Sequence, residues 1–234
     1  MTAILRKELK QYFASPTGYI YLGVFYLFAG FYFFSTVLVN NTTDLSYVFS
    51  GLFTICLFVI PLLTMRLFAE EMKNRTDQAL FTAPVRLSSV VLGKYMAALL
   101  LFFMGTSETL LFAAIVDGIA AVDWAVVWGN FIGLMLLGAA LIAICMFLSC
   151  MTESQLIAAV CGMTAGLLLM LTEGAANVLP DGIWRTAAKA VSFKSRYHMF
   201  TQGILRVSDI VFFLSIVILF CFLTVRRLEK RQWQ

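Results

Sequence analysis

Residues 68–85, FAEEMKNRTDQALFTAPV, place five charges between two long apolar runs. The runs on either side decide the fold, because each is long enough to cross a bilayer as a helix, which takes about 20 residues. The whole chain shares this character. Of its 234 residues, 61% are hydrophobic, 13% are charged and 22 are Phe, whereas soluble domains are about 45–50% apolar and about 25% charged. The composition specifies an integral membrane protein.

Six apolar runs are of spanning length, at about 18–39, 47–67, 95–116, 125–150, 156–171 and 210–225. Together with their connections they occupy nearly all of residues 1–234, leaving no room for a soluble catalytic or nucleotide-binding domain. The expected fold is therefore an all-α polytopic membrane protein forming a single transmembrane domain.

An even number of spans puts both termini on one side, and retained Lys and Arg mark that side as cytoplasmic. Twelve of the 17 basic residues fall there: Arg6, Lys7 and Lys10, then Arg66, Lys73, Arg75, Arg86 and Lys94, then Arg226, Arg227, Lys230 and Arg231. The remaining five, Arg185, Lys189, Lys194, Arg196 and Arg206, oppose the rule from the connection before the last span. The expected location is the inner or plasma membrane with both termini cytoplasmic. Residues 1–16 read as an interfacial helix. Ile4, Leu5, Leu9, Tyr12 and Phe13 lie on one side, Arg6, Lys7 and Lys10 lie on the other, and Ser15-Pro16 stops it. Asn40 and Asn41 each begin an Asn-x-Thr pattern but read as turn residues beside the membrane.

Enzyme signatures are missing. His198 is the only histidine, which excludes HExxH. No GxSxG elbow accompanies it, and Gly93-Lys94 lacks the rest of a phosphate-binding loop. The five cysteines fall in or beside the spans without a CxxC pair and read as small apolar residues. The sequence points to no metal, cofactor or nucleic acid on this chain.

Two constellations remain. Glu108 stands 14 residues beyond Lys94, so a helix would carry it about 21 Å into a core about 30 Å thick. A charge there costs about 2.5–3.5 kcal/mol on insertion scales and faces a bundle interior or a wet cavity. With Thr106 and Ser107 beside it, it is a candidate lining for a translocation route; the plainer reading is a structural hydrogen bond. Glu173 and Asn177 at the far end of the fifth span are weaker candidates of the same kind. The second constellation is a helix over about 70–83. Met72, Thr76, Ala79, Leu80 and Ala83 recur at helical spacing, and Glu71/Arg75 and Lys73/Asp77 form i,i+4 pairs. Pro84 ends it, and Ser88 or Ser89 would cap the third span. Its mixed charge suits a protein partner better than an anionic lipid surface.

The stretch IPLLTMRLFAEEMKNRTDQALFTAPVRLSSVVLGKY, residues 60–95, resembles type-2 ATP-binding-cassette (ABC) transporter permeases, in particular the six-span branch related to gliding-motility and nitrous-oxide-reductase-maturation permeases. Pro61, Met65, Arg66, Glu70, Glu71, Thr76, Leu80, Pro84, Leu92, Gly93 and Lys94 carry the likeness, and Asn74-Arg75 departs from it where a Gly precedes the Thr. LRKELKQYFASPTGYI and FKSRYHMFTQGILRVSDIVFFL resemble the family's entry helix and its approach to the last span.

The resemblance implies an ATP-driven permease, an exporter working by alternating access. It would pair with a second permease as homodimer or heterodimer, and a separate ATPase subunit would hold the ATP and Mg. The 70–83 segment would be the coupling helix seated on that ATPase, with Met72 and Leu80 as apolar anchors and Glu70, Glu71, Arg75, Thr76, Asp77 and Pro84 completing it. Short extracytoplasmic helices would precede the last span within about 173–206, and an auxiliary extracytoplasmic subunit attends some relatives. A stand-alone secondary transporter or channel is the alternative. It is supported by Glu108 but lacks an evident inverted repeat.

Overall fold

The computed structural model describes residues 2–75, 86–178 and 192–232. Six of its helical stretches are long and apolar enough to cross a membrane, and no strand occurs among the described residues. A short helix, α1 (Thr2–Ala14), precedes the first span, α2 (Pro16–Tyr32), which continues as a π-helical segment over Phe33–Leu38. The second span joins α3 (Ser46–Thr64) to α4 (Arg66–Lys73), and the third joins α5 (Leu87–Thr106) to α6 (Glu108–Asp117). The rest is α7 (Trp124–Ser149), α8 (Gln155–Val178), α9 (Phe193–Thr201) and α10 (Val207–Gln232).

Local chemistry explains the boundaries. Pro16 occupies the first turn of α2, where its missing N–H costs nothing. Gly18 is required just beyond, because a Cβ there would stand 2.6 Å from the Tyr12 carbonyl. The π segment ends where the Asn40 side-chain amide donates to the carbonyls of Ser35 and Thr36 and Asn41 turns the chain with a φ of 50°. Both asparagines thus serve the turn. Asp123 caps α7 by accepting from the Ala125 amide.

The fourth span is the centre of the bundle. In α7, 72% of the apolar window is buried, against 22% for the fifth span and 17% for the sixth. Small residues let its neighbours approach, as membrane helices require. Gly129 faces Gly203, Gly133 faces the Phe200 side chain, and Gly138 faces the Phe102 ring. A second pair four apart, Gly162 and Gly166 of α8, lies against Pro61 and Leu57, where the proline interrupts the hydrogen bonds of α3.

Three boundaries differ by six residues or more from the sequence expectation, among them the end of the sixth span, which runs to Arg231 rather than 225. The third span begins at Leu87, eight residues before the expected 95. Its N-cap is Arg86 without a side-chain cap, so Ser88 and Ser89 lie inside the first turn rather than at the cap. The helix can start early because Lys94, which ended the apolar run in sequence, is neutralised inside the protein. The second span runs on to Lys73 as α4, whose Leu67, Phe68, Ala69 and Met72 are buried.

Ser149, the last residue of α7, pins the junction between α3 and α4. Its hydroxyl accepts from the Phe68 and Ala69 amides at 3.3 and 3.2 Å and donates to the Met65 carbonyl at 3.0 Å. Ser149→Ala leaves two buried amides without that acceptor, so a loss of about 1–3 kcal/mol is expected. Denaturant unfolding of the purified protein in detergent checks this.

Candidate functional site: an ion cluster at the base of the second and third spans

Two carboxylates of the opening stretch, Glu70 and Glu71, are drawn into the protein, whereas Lys73 and Arg75 are exposed. Lys94 Nζ lies 2.9 Å from Glu8 Oε1 and 3.0 Å from Glu71 Oε1, with side-chain exposures of 3%, 6% and 15% for Lys94, Glu8 and Glu71. Lys7 Nζ approaches the same Glu71 oxygen at 3.6 Å from the surface, and Lys94 also stands 5.2 Å from the centre of the Phe68 ring. This cluster joins α1, α4 and α5. Isolated, each of these charges would be costly to bury; together they offset one another.

A second knot lies beside it. Arg66 grips Glu70 with two parallel bonds, Nε to Oε2 at 2.7 Å and Nη2 to Oε1 at 3.1 Å. Its remaining amine donates to the hydroxyls of Thr17 and Ser15 at 2.7 and 3.3 Å, at the break between α1 and α2. Tyr12 adds a third tie by donating to the Leu63 carbonyl at 3.2 Å. Burial, with a smaller push from Glu8, holds its phenol far above the ordinary tyrosine range, so it remains a donor.

Within the described residues, the expected 70–83 helix extends only as far as Lys73. Glu70, Glu71 and Met72 close α4, which ends at Lys73, and Arg75 follows in the left-handed region with a φ of 54°. The i,i+4 pairing of Glu71 with Arg75 lacks the continuous helix it needs, and Glu71 turns to Lys94 and Lys7 instead. Met72, read as an anchor for a partner, is buried, and its sulfur accepts from Arg231 Nη1 of α10 at 3.2 Å. Arg231 also reaches Glu153 at 3.0 Å. The first and last helices thus meet the same end of the bundle. Thr76, Asp77, Leu80 and Pro84 lie outside the described residues.

The Glu108 constellation is mostly self-satisfied. Thr106 donates to the Phe102 or Phe103 carbonyl, Ser107 to the Met104 carbonyl and Thr109 to the Thr106 carbonyl, all local to the junction of α5 and α6, and Thr106 Oγ1 also reaches the Met135 sulfur of α7 at 3.3 Å. Hydroxyls bonded this way bend a helix rather than reach for a ligand. Glu108 differs, since its Oε2 is buried without a protein hydrogen-bond partner among the described residues. Tyr26 donates to the Met104 carbonyl one turn before it. Glu173 and Asn177 belong to the last turns of α8. Arg196, one of the five residues opposing the charge rule, is held by Asp209 at 2.6 Å and stacks 4.1 Å from the Phe212 ring.

Sequence reasoning missed Glu8 and the burial of Lys94. The signal was present. Glu8 precedes Tyr12 by four residues and so shares the face of α1 that carries the apolar side chains, where a carboxylate needs a partner.

The family model described as ABC-2 family transporter protein matches residues 9–169, a stretch that holds the first four spans, nearly all of the fifth, and the two ion knots apart from Lys7 and Glu8. The chain belongs to this family. Among curated proteins, none matches it. Membership and the six apolar helices make this chain a multi-pass membrane permease subunit of an ABC transporter, with an ABC ATPase as the implied partner. The stand-alone transporter or channel is not favoured.

Proposed function

We propose that this ABC-2 permease exports its substrate by alternating access, driven by a separate ATPase subunit that holds ATP and Mg, with no enzymatic activity of its own. In this reading both termini are cytoplasmic, the membrane is the inner or plasma membrane, and two permeases pair as homodimer or heterodimer. The likeness of residues 60–95 to the gliding-motility and nitrous-oxide-reductase-maturation branch supports that placement, and the same branch allows an auxiliary extracytoplasmic subunit.

The observation that carries the reading is the double anchoring of α4. The segment that follows it, 76–85, connects the second and third spans, and Glu71 with Lys94 links the two ends of that segment. A push on the segment by the closing ATPase would then move the ends of both spans and, through Glu8 and Arg66, α1 and the start of α2 with them. Glu70 and Glu71 act in this scheme as internal ties, and Leu80 remains the contact offered to the ATPase.

Leu80→Asp is accordingly expected to reduce transport-coupled ATP turnover by at least about tenfold, the effect of losing about 1.4 kcal/mol at an interface hot spot, while leaving the thermal stability of the permease unchanged. Co-purification and stimulated ATPase activity in proteoliposomes measure it, and wild-type coupling would exclude the 76–85 segment as the contact. Glu108→Gln keeps the side-chain shape and removes the charge. Transport altered at unchanged stability would place Glu108 on the route, whereas unchanged transport would assign it a structural role.

A further inference from the structure

The first helix, α1, is fastened to the bundle along one line of side chains. Glu8 and Tyr12 are buried and tied to Lys94 and to the Leu63 carbonyl, which fixes the rotation of the helix. With 3.6 residues per turn, the remaining side chains then have set directions. One flank, Leu5, Leu9 and Phe13, is apolar and half-buried. Phe13 meets Tyr19 at the foot of the first span, ring centres 5.8 Å apart and edge to face, and Tyr19 and Ile20 are exposed there. An exposed tyrosine at the end of a span marks the bilayer interface, so this flank looks toward the membrane. The other flank carries Lys7, which reaches Glu71 of α4 at 3.6 Å.

Between the two flanks, on the side turned away from the bundle, stand Arg6 and Lys10. Both are exposed, and neither makes an ion pair or hydrogen bond among the described residues. Ala3, Arg6, Lys7 and Lys10 follow the i, i+3, i+4, i+7 spacing of one helix face. Ala3 ends at its Cβ and leaves room between the long side chains. With Thr2, these four residues line a hollow of about 690 Å³ that no carboxylate enters. Lys7 keeps 63% of its side chain exposed, so Glu71 does not withdraw it from the hollow. Cations and a hydroxyl around one space suit an anion with several acceptor oxygens, such as a phosphate. The apolar flank beside them says where that phosphate comes from, because a helix with such a flank lies at headgroup level.

We propose that this hollow seats the phosphate of an anionic phospholipid, held by Arg6 and Lys10 and bordered by Lys7, with the acyl chains running past Leu9, Phe13 and Tyr19. The proposal depends neither on which side the termini face nor on how the ATPase is coupled. Its test uses the full chain in uncharged detergent doped with phosphatidylglycerol, with phosphatidylcholine as the zwitterionic control and inorganic phosphate as the free anion. Native mass spectrometry counts the lipid retained, and the unfolding temperature is read alongside. Phosphatidylglycerol should be retained in preference to phosphatidylcholine and should raise the unfolding temperature. Arg6→Gln/Lys10→Gln should weaken retention about 25-fold, at about fivefold for each basic residue lost near anionic lipid. Neither residue holds a partner in the fold, so that variant should unfold like the wild type in phosphatidylcholine. Arg226→Gln/Arg227→Gln removes the same charge from exposed residues of α10 and should leave retention nearly unchanged. Equal retention of the two lipids by the wild type, undiminished retention by the Arg6/Lys10 variant, or an equal loss in the Arg226/Arg227 variant would each overturn the proposal. Inorganic phosphate stabilising as well as phosphatidylglycerol would do the same. Loss of ATPase co-purification in the Arg6/Lys10 variant, with lipid retention intact, would assign the surface to the ATPase instead.

Discussion

Lys94→Met is expected to destabilise the permease by about 3–5 kcal/mol, because it removes the buried cation that the Glu8 and Glu71 carboxylates share. The loss should appear as a large fall in the denaturant midpoint of the detergent-solubilised protein. The triple variant Lys94→Met/Glu8→Gln/Glu71→Gln separates charge from shape. If burial without compensation is the cause, neutralising both carboxylates recovers most of the stability, since replacing a whole buried ion group by neutral side chains is often near neutral. A triple variant as unstable as the single one would show that packing of the Lys94 stem, not its charge, holds the site. The same geometry rules out charge reversal at Glu71 as a clean probe of ATPase coupling. A lysine there would join Lys7 and Lys94 and damage the fold first.

The second large effect is expected at Gly138. A Cβ at this position would overlap the ring of Phe102, itself fully buried between the third and fourth spans. Gly138→Val therefore forces α5 away from α7, at a cost of about 1–3 kcal/mol or more, as overpacked cores show. Trimming the obstacle should compensate: Gly138→Val/Phe102→Ala is expected to be more stable than Gly138→Val alone. Comparing unfolding midpoints of the two single variants and the double variant gives their coupling energy, and additive losses would contradict the contact.

Much of the architecture was legible because hydropathy is a one-dimensional signal. A run of 20 apolar residues has few fates other than a span, and each of the six runs falls on a helix long and apolar enough to cross a membrane, although three of those helices extend six residues or more beyond the run. The charges were not legible in the same way. A lysine next to an apolar run looks like a cytoplasmic flank, and nothing local to Lys94 reveals that Glu8, 86 residues earlier, will neutralise it. The i,i+4 reading of Glu71 assumed that the helix continued, whereas Asn74 and Arg75 turn the chain. Those two residues are where the segment departs from the family pattern, so the departure coincides with the turn.

The tie between Glu8 and Lys94 also has a consequence in time. At about 5–20 residues per second, the ribosome releases Lys94 about 4–17 s after Glu8. Through that interval the amino-terminal helix has its basic residues for the headgroups but no cation of the third span for its carboxylate. Its final seat becomes available only when Lys94 has emerged, so the first helix made is among the last to settle. An insertion intermediate arrested before residue 94 is the state in which Glu8 should be open to carboxyl-reactive labelling.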